Sequence, residues 1–156
     1  MTFVAPPLDF DVVREVWNRY ELADNAILKS RVILTEVIKT TLTNQASYSF
    51  DFHPVNVVLT RERGTPDNHS YSPQELQQAI TREDVRYTTQ SEEWNEYVSD
   101  DGARIRVKAT VVRVSKTSRF NAKGEPIYFV ESSTMVSVKP PAGQGGTTTT
   151  MPPTAP

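Results

Sequence analysis

Two short clusters, Trp17-Asn18-Arg19-Tyr20 and Trp94-Asn95-Glu96-Tyr97, carry the side chains best suited to binding. Indole and phenol rings offer flat faces on which bases or sugars stack, and Trp17, Tyr20, Trp94 and Tyr97 would then form an aromatic interface. The same rings also fill a core, with Asn18 and Asn95 satisfying backbone groups at a bend. Packing alone explains why both clusters need the same residues, and it is the preferred reading. A second set is basic. Lys29, Arg31, Arg104, Arg106 and Lys108 alternate with apolar positions, as a face that holds anions or nucleic-acid phosphates would. Arg113, Lys116 and Arg119 would extend it. No aromatic is interleaved among these cations in sequence, and 19 acidic residues outnumber 17 basic ones. Long basic side chains also keep an exposed sheet face from associating, so a solvated face is expected first.

The remaining chemistry is sparse. His53 and His69 are the only two histidines. Asp51 and His53 share one face of a strand, the arrangement of a base and its orienter or of two metal ligands. No H-x-H or HExxH spacing completes a site, and no cysteine is present to act as nucleophile or thiolate ligand. Asp24, Asp100 and Asp101 fall where turns are expected, so they suggest no paired-carboxylate chemistry. There is no serine elbow and no phosphate-cradling glycine loop. No catalytic residue, metal ligand or cofactor is therefore assigned, and the reading leans against an enzyme. The terminal Pro153-Thr154-Ala155-Pro156 resembles a short peptide motif that recruits budding machinery, but four residues in a Pro/Thr/Ala-rich tail arise easily by chance.

The elements that would position these residues come in two copies. Sliding the chain on itself by 77 positions aligns residues 17–40 with 94–117 without a gap. Eight of the 24 positions are identical, namely Trp17, Asn18, Tyr20, Asp24, Ala26, Val37, Lys39 and Thr40 with their counterparts. Such self-similarity reads as an internal duplication, with copies near 9–60 and 86–139 packed about a pseudo-twofold axis. Each copy opens with an aromatic strand and turns at Asp24-Asn25 or Asp101-Gly102, where a type I′ turn needs positive φ. In the second strand Ile105, Val107, Ala109 and Val111 alternate with Arg104, Arg106 and Lys108, the period of a half-buried antiparallel strand. After Val111 the phase slips toward Val112 and Val114, which predicts a bulge or strong bend. A third strand follows in each copy, and Pro54 in the first marks an edge or a kink.

The expected fold is therefore all-β with one short linker helix: two duplicated three-stranded antiparallel meanders forming a pseudo-twofold six-stranded barrel or sandwich. Between the copies, residues 61–85 hold a polar loop and a helix beginning at Ser72-Pro73. Glu75 closes a capping box there, and Tyr71 with Leu76 forms a hydrophobic staple. The whole of 1–139 reads as one domain, and 140–156, rich in Pro, Gly and Thr, as a disordered tail.

A net charge of −2 gives no global attraction to nucleic acid or acidic lipid. No window approaches the roughly 18 apolar residues of a membrane span. The first residues lack a basic region followed by an apolar run, so a cytoplasmic location is expected. The function expected first is a non-enzymatic protein-binding or assembly module, a subunit of a complex or a homo-oligomer. Behind it stand a nucleic-acid-binding barrel using the basic face, and a small-molecule or catalytic site in the cleft between copies, lined by the four rings.

Overall fold

The computed structural model describes residues 5–43, 45–141 and 147–150. Among these residues eleven strands and one helix follow in the order β1 (Pro7–Leu8), β2 (Phe10–Arg14), β3 (Asn18–Leu22), β4 (Ile27–Leu42), β5 (Gln45–Leu59), α1 (Pro73–Gln78), β6 (Ile80–Arg82), β7 (Tyr87–Ser91), β8 (Asn95–Ser99), β9 (Arg104–Phe120), β10 (Pro126–Lys139) and β11 (Thr147–Thr150). They build two antiparallel sheets. One has β5, β4, β3 and β7 side by side, with β1 also on β4; the other has β11, β10, β9, β8 and β2, with β6 on β9. Among the described residues neither sheet closes on itself, so of the barrel or sandwich expected from sequence the barrel is not borne out. The mainly β class and the two three-stranded meanders, β3–β4–β5 and β8–β9–β10, are as expected.

The register repeats between the sheets. Asn18 faces Ser30 and Tyr20 faces Leu28 in the first; Asn95 faces Val107 and Tyr97 faces Ile105 in the second, each 77 residues on. The short strands that sequence reasoning missed obey the same offset but cross over. β2, which precedes the first meander, pairs with β8 of the second, and β7, which precedes the second, pairs with β3 of the first. Leu8 faces Val37, and the Val85 amide donates to the Val114 carbonyl at 2.7 Å. For the third strands the offset is 80. Lys39 faces Tyr48 and Lys116 faces Tyr128, because the second meander's turn between β9 and β10 is longer. His53 thus corresponds to Ser133 and Asp51 to Glu131, not to the residues a uniform 77-residue offset would give.

The phase slip in the second strands is a bulge. Thr35 is left over between Leu34 and Glu36, and Val112 between Val111 and Arg113. Val112 does not take over the apolar role: it is 49% exposed, while Val111 and Val114 are buried. The extra residue turns outward, so the residues on either side of it still face one cluster: Leu34 with Val37 in the first strand, Val111 with Val114 in the second. The expected type I′ turns are also revised. Within these two turns positive φ falls on one residue each, Asn25 (66°) and Gly102 (87°). Asn25 and Gly102 donate back to Leu22 and Ser99, and Leu22 and Ser99 to Ala26 and Ala103. This is a type I turn closed by one left-handed residue, a common longer hairpin loop.

Two buried clusters result, and each draws on both sheets. One joins Val32, Leu34 and Val37 of β4 to Tyr97, Ile105, Val107, Val136 and Val138. The other joins Tyr20, Leu22 and Leu28 to Val111, Val114, Tyr128 and Val130. β4 therefore serves one core with Leu28 and the other from Val32 to Val37, and β9 serves one core from Ile105 to Ala109 and the other from Val111 to Val114.

The helix α1 has the expected cap. The Glu75 amide donates to Ser72 Oγ at 3.2 Å, the Ser72 amide donates to Glu75 Oε1 at 3.3 Å, and Pro73 opens the helix. The loop before it lies against the β9–β10 turn, where the Gly64 amide donates to the Gly124 carbonyl at 2.7 Å. A Cβ on Gly64 would stand 2.4 Å from the Phe120 ring, so any larger residue here would have to push that ring aside. In the stretch expected to be disordered, Thr147–Thr150 form β11, antiparallel to Met135–Val138. The rest of that expectation, residues 142–146 and 151–156, and the Pro153–Pro156 motif with it, lies outside the described residues.

Candidate functional site

The two aromatic clusters occupy equivalent surroundings, and within each cluster the Trp and the Tyr differ in role. Tyr20 and Tyr97 are 0% and 1% exposed. Each stands edge-on to a ring from the crossing strand: Tyr20 to Tyr87 at 5.6 Å and 89°, Tyr97 to Phe10 at 5.8 Å and 85°. Each hydroxyl donates to a carboxylate of the other half of the chain, Tyr20 to Glu92 at 2.7 Å and Tyr97 to Glu15 at 2.8 Å. Burial, and after it the hydrogen bond to that carboxylate, pushes both hydroxyls far above the usual tyrosine range. Each hydroxyl also accepts, Tyr20 from the Val111 amide at 3.5 Å and Tyr97 from Asn95 Nδ2 at 3.4 Å, and both stay protonated at neutral pH.

The asparagines lock the same junction. Asn18 Nδ2 donates to the Ala109 carbonyl at 2.9 Å, and the Glu93 amide donates to Asn18 Oδ1 at 3.0 Å. Asn95 Nδ2 donates to the Val32 carbonyl at 3.1 Å, and the Val16 amide donates to Asn95 Oδ1 at 3.0 Å. Backbone groups left over where each crossing strand meets the bend are satisfied by these amides, as expected.

Trp17 and Trp94 are only partly buried, so they do not fill the interior between the halves. Their faces are taken up by the basic residues. Lys29 Nζ lies 4.8 Å from the Trp17 ring centre and the Arg31 guanidinium 5.6 Å. The Arg106 guanidinium lies 4.7 Å from the Trp94 ring centre and Lys108 Nζ 5.9 Å. The two sets of residues singled out separately in sequence are thus one cation–aromatic arrangement, made twice. Sequence spacing hid this, because each Trp reaches its cations across a hairpin.

Carboxylates complete it. Glu15 binds Arg31 at 2.6 Å, Glu92 reaches Lys108 at 3.6 Å, and Glu96 reaches Arg106 at 3.7 Å. The cations that would extend a phosphate stripe are engaged as well. Arg113 lies 3.2 Å from Asp84 and 3.4 Å from Glu131, Lys116 lies 2.7 Å from Glu62, and Arg119 covers the Tyr71 ring at 5.3 Å. Arg104 lies apart, in a cleft of about 300 Å³ on the outer face of the second sheet with Arg106, Lys139, Glu96 and Val13. Lys29 and Arg31 belong to one sheet and Arg104, Arg106 and Lys108 to the other, so the five do not form one continuous stripe.

Among the described residues Tyr20 and Tyr97 are interior, so the four rings do not together line a cleft. A separate cleft of about 220 Å³ opens between β5 and β10, lined among others by Ser30, Phe52, Pro54, Ala109, Ser132 and Thr134. His53 and Asp51 are both exposed on the outer face of β5. His69, which sequence left without a partner, lies 3.1 Å from Glu75 and 4.5 Å from the Tyr71 ring, bracing the loop before α1. Among the described residues no group of three or more His, Cys, Asp or Glu side chains is placed to hold a metal ion, and no helix is long and apolar enough to cross a membrane.

A feature that the sequence marked through Pro54 alone is the edge of β5. It is paired with β4 over its whole length from Gln45 to Leu59, and among the described residues nothing pairs with its other side. The counterpart strand β10 carries β11 there. Pro54 was the one signal of an edge, and the strand is an edge. No family model, curated protein or solved structure matches this chain.

Proposed function

We propose that the chain is a duplicated, pseudo-twofold β module whose role is non-enzymatic binding of protein, exercised through the open edge of β5. The single observation that carries this reading is the 15-residue strand Gln45–Leu59 with one side unpaired among the described residues. A long free edge is a ready template for another chain's strand. Gln45–Leu59 contains no lysine or arginine, so it lacks the cations that usually blunt such edges.

The other two readings are less well supported. Nucleic-acid binding needs cations free to displace counterions, whereas most of the basic side chains here meet a carboxylate or a ring. A reaction in the cleft between halves needs the four rings to line it, and two of them fill the core instead.

The reading is tested by affinity capture from the source extract, with the full chain as bait and Val57→Lys as comparison. Partners held by the edge appear with the wild type and are lost with the variant. Capture of the same proteins by both chains, or of none by a chain that is also monomeric in light scattering, removes the reading.

A further inference from the structure

Resting on that reading, we infer that the partner of the β5 edge is the β5 edge of a second copy of this chain, joined antiparallel about Val57. The two sheets differ along the outer edge of their third strands. On β10, Met135–Val138 are covered by β11. On β5 the corresponding residues, 55–58 by the 80-residue offset, have no strand beside them among the described residues. The outer face there is apolar: Val57 is 39% exposed and Leu59 47%. Their counterparts, Ser137 and Lys139, are polar.

Strand geometry fixes the register. A twofold axis perpendicular to the sheet keeps outer faces outer, so only residues of like parity face each other. Centring on Val57 puts Val57 opposite its own copy and Val55 opposite Leu59, giving an unbroken apolar stripe across the seam. Pro54, which has no amide to donate, falls at the end of the seam and limits pairing to the stretch from Val55 to Leu59. Beyond that end, Arg61 and Arg63 of one copy approach Asp51 of the other, so the charges that flank the seam are complementary. A seam this short stays below the roughly 1,200 Å² at which standard stable interfaces begin, so the dimer is weak and concentration-dependent.

Sedimentation equilibrium of the full chain tests this. The average mass of the wild type rises from one chain toward two between about 10 μM and about 1 mM. Val57→Lys alone and Val57→Glu alone stay monomeric at 1 mM on this ~10⁻³ M scale, because like charges then meet on the axis, and each keeps the wild-type circular dichroism spectrum. Mixing the two variants restores the dimer. Leu59→Lys also weakens association, whereas Val12→Lys on the β2 edge leaves it unchanged. A wild type that stays monomeric throughout overturns the self-pairing, while the wider protein-binding reading still stands or falls by its capture experiment. A dimer indifferent to Val57→Lys, one lost only with Val12→Lys, or a mixture that fails to reassociate overturns it equally.

Discussion

The clearest energetic roles at the residue scale belong to the paired asparagines and to Asp101. Asn18 and Asn95 are 4% and 3% exposed, and each satisfies one carbonyl and one amide from the other half of the chain. Truncation to alanine leaves those groups buried without partners, at about 1–3 kcal/mol for the first and less for a second near solvent. We expect Asn18→Ala and Asn95→Ala each to lower stability by about 2–4 kcal/mol in urea unfolding, and by similar amounts. An effect confined to one of them would show that the two junctions are not equivalent. Burial disfavours the Asp101 carboxylate, but hydrogen bonds from Ser99, from Tyr48 at 2.7 Å and from Lys39 at 2.9 Å outweigh it and hold the carboxyl well below the usual range. A depressed folded-state value means stability that is present above the unfolded value of about 4 and is lost as pH falls below it. Asp101→Asn should therefore be less stable than wild type at pH 7, with the gap closing in thermal melts below about pH 4.

At the scale of elements, the two hairpins β4–β5 and β9–β10 differ where one buries a polar pair. Ser30 faces Asn56 in the first, and Val107 faces Val136 in the second. Asn56 Oδ1 is buried without a hydrogen-bond partner, which carries a desolvation cost. Asn56→Val copies the other hairpin and should raise stability by about 1–2 kcal/mol, read as a higher melting temperature; a fall would mean that the amide has a role the apolar pair cannot fill. Much at this scale was legible in sequence. Alternation marked the long strands, Ser72-Pro73 with Glu75 marked the helix, and the slip after Val111 marked the bulge. The strands β2 and β7 were not legible, because Asp11-Val12-Val13 and Thr88-Thr89-Gln90 are largely exposed and show no alternation. They are strands only because a partner edge is waiting for them.

For the whole molecule, the decisive feature is that each core cluster draws on both halves. Neither half contains a complete core. A chain cut after Thr65 should accordingly yield two pieces that separately lack a cooperative unfolding transition and together regain the β-sheet circular dichroism signal. Folding of either piece alone would contradict the shared interior. The same arrangement accounts for the basic residues. With Trp17 and Trp94 beneath them and Glu15, Glu92 and Glu96 beside them, these cations tie the hairpins down, and such partly exposed pairs contribute modestly to stability.

From the sequence alone came the β class, the 77-residue correspondence, the three strands of each meander, the capped helix and the mark of an edge or a kink at Pro54. All of these rest on local rules: side-chain period, turn chemistry and the geometry of proline. Only the tertiary structure decided that the sheets stay open, that β2 and β7 exchange between halves, and that each tryptophan lies under its cations while the tyrosines go inside. Those outcomes join residues some 80 positions apart, and burial of a common surface selects them. No local pattern encodes which distant edge a strand will meet.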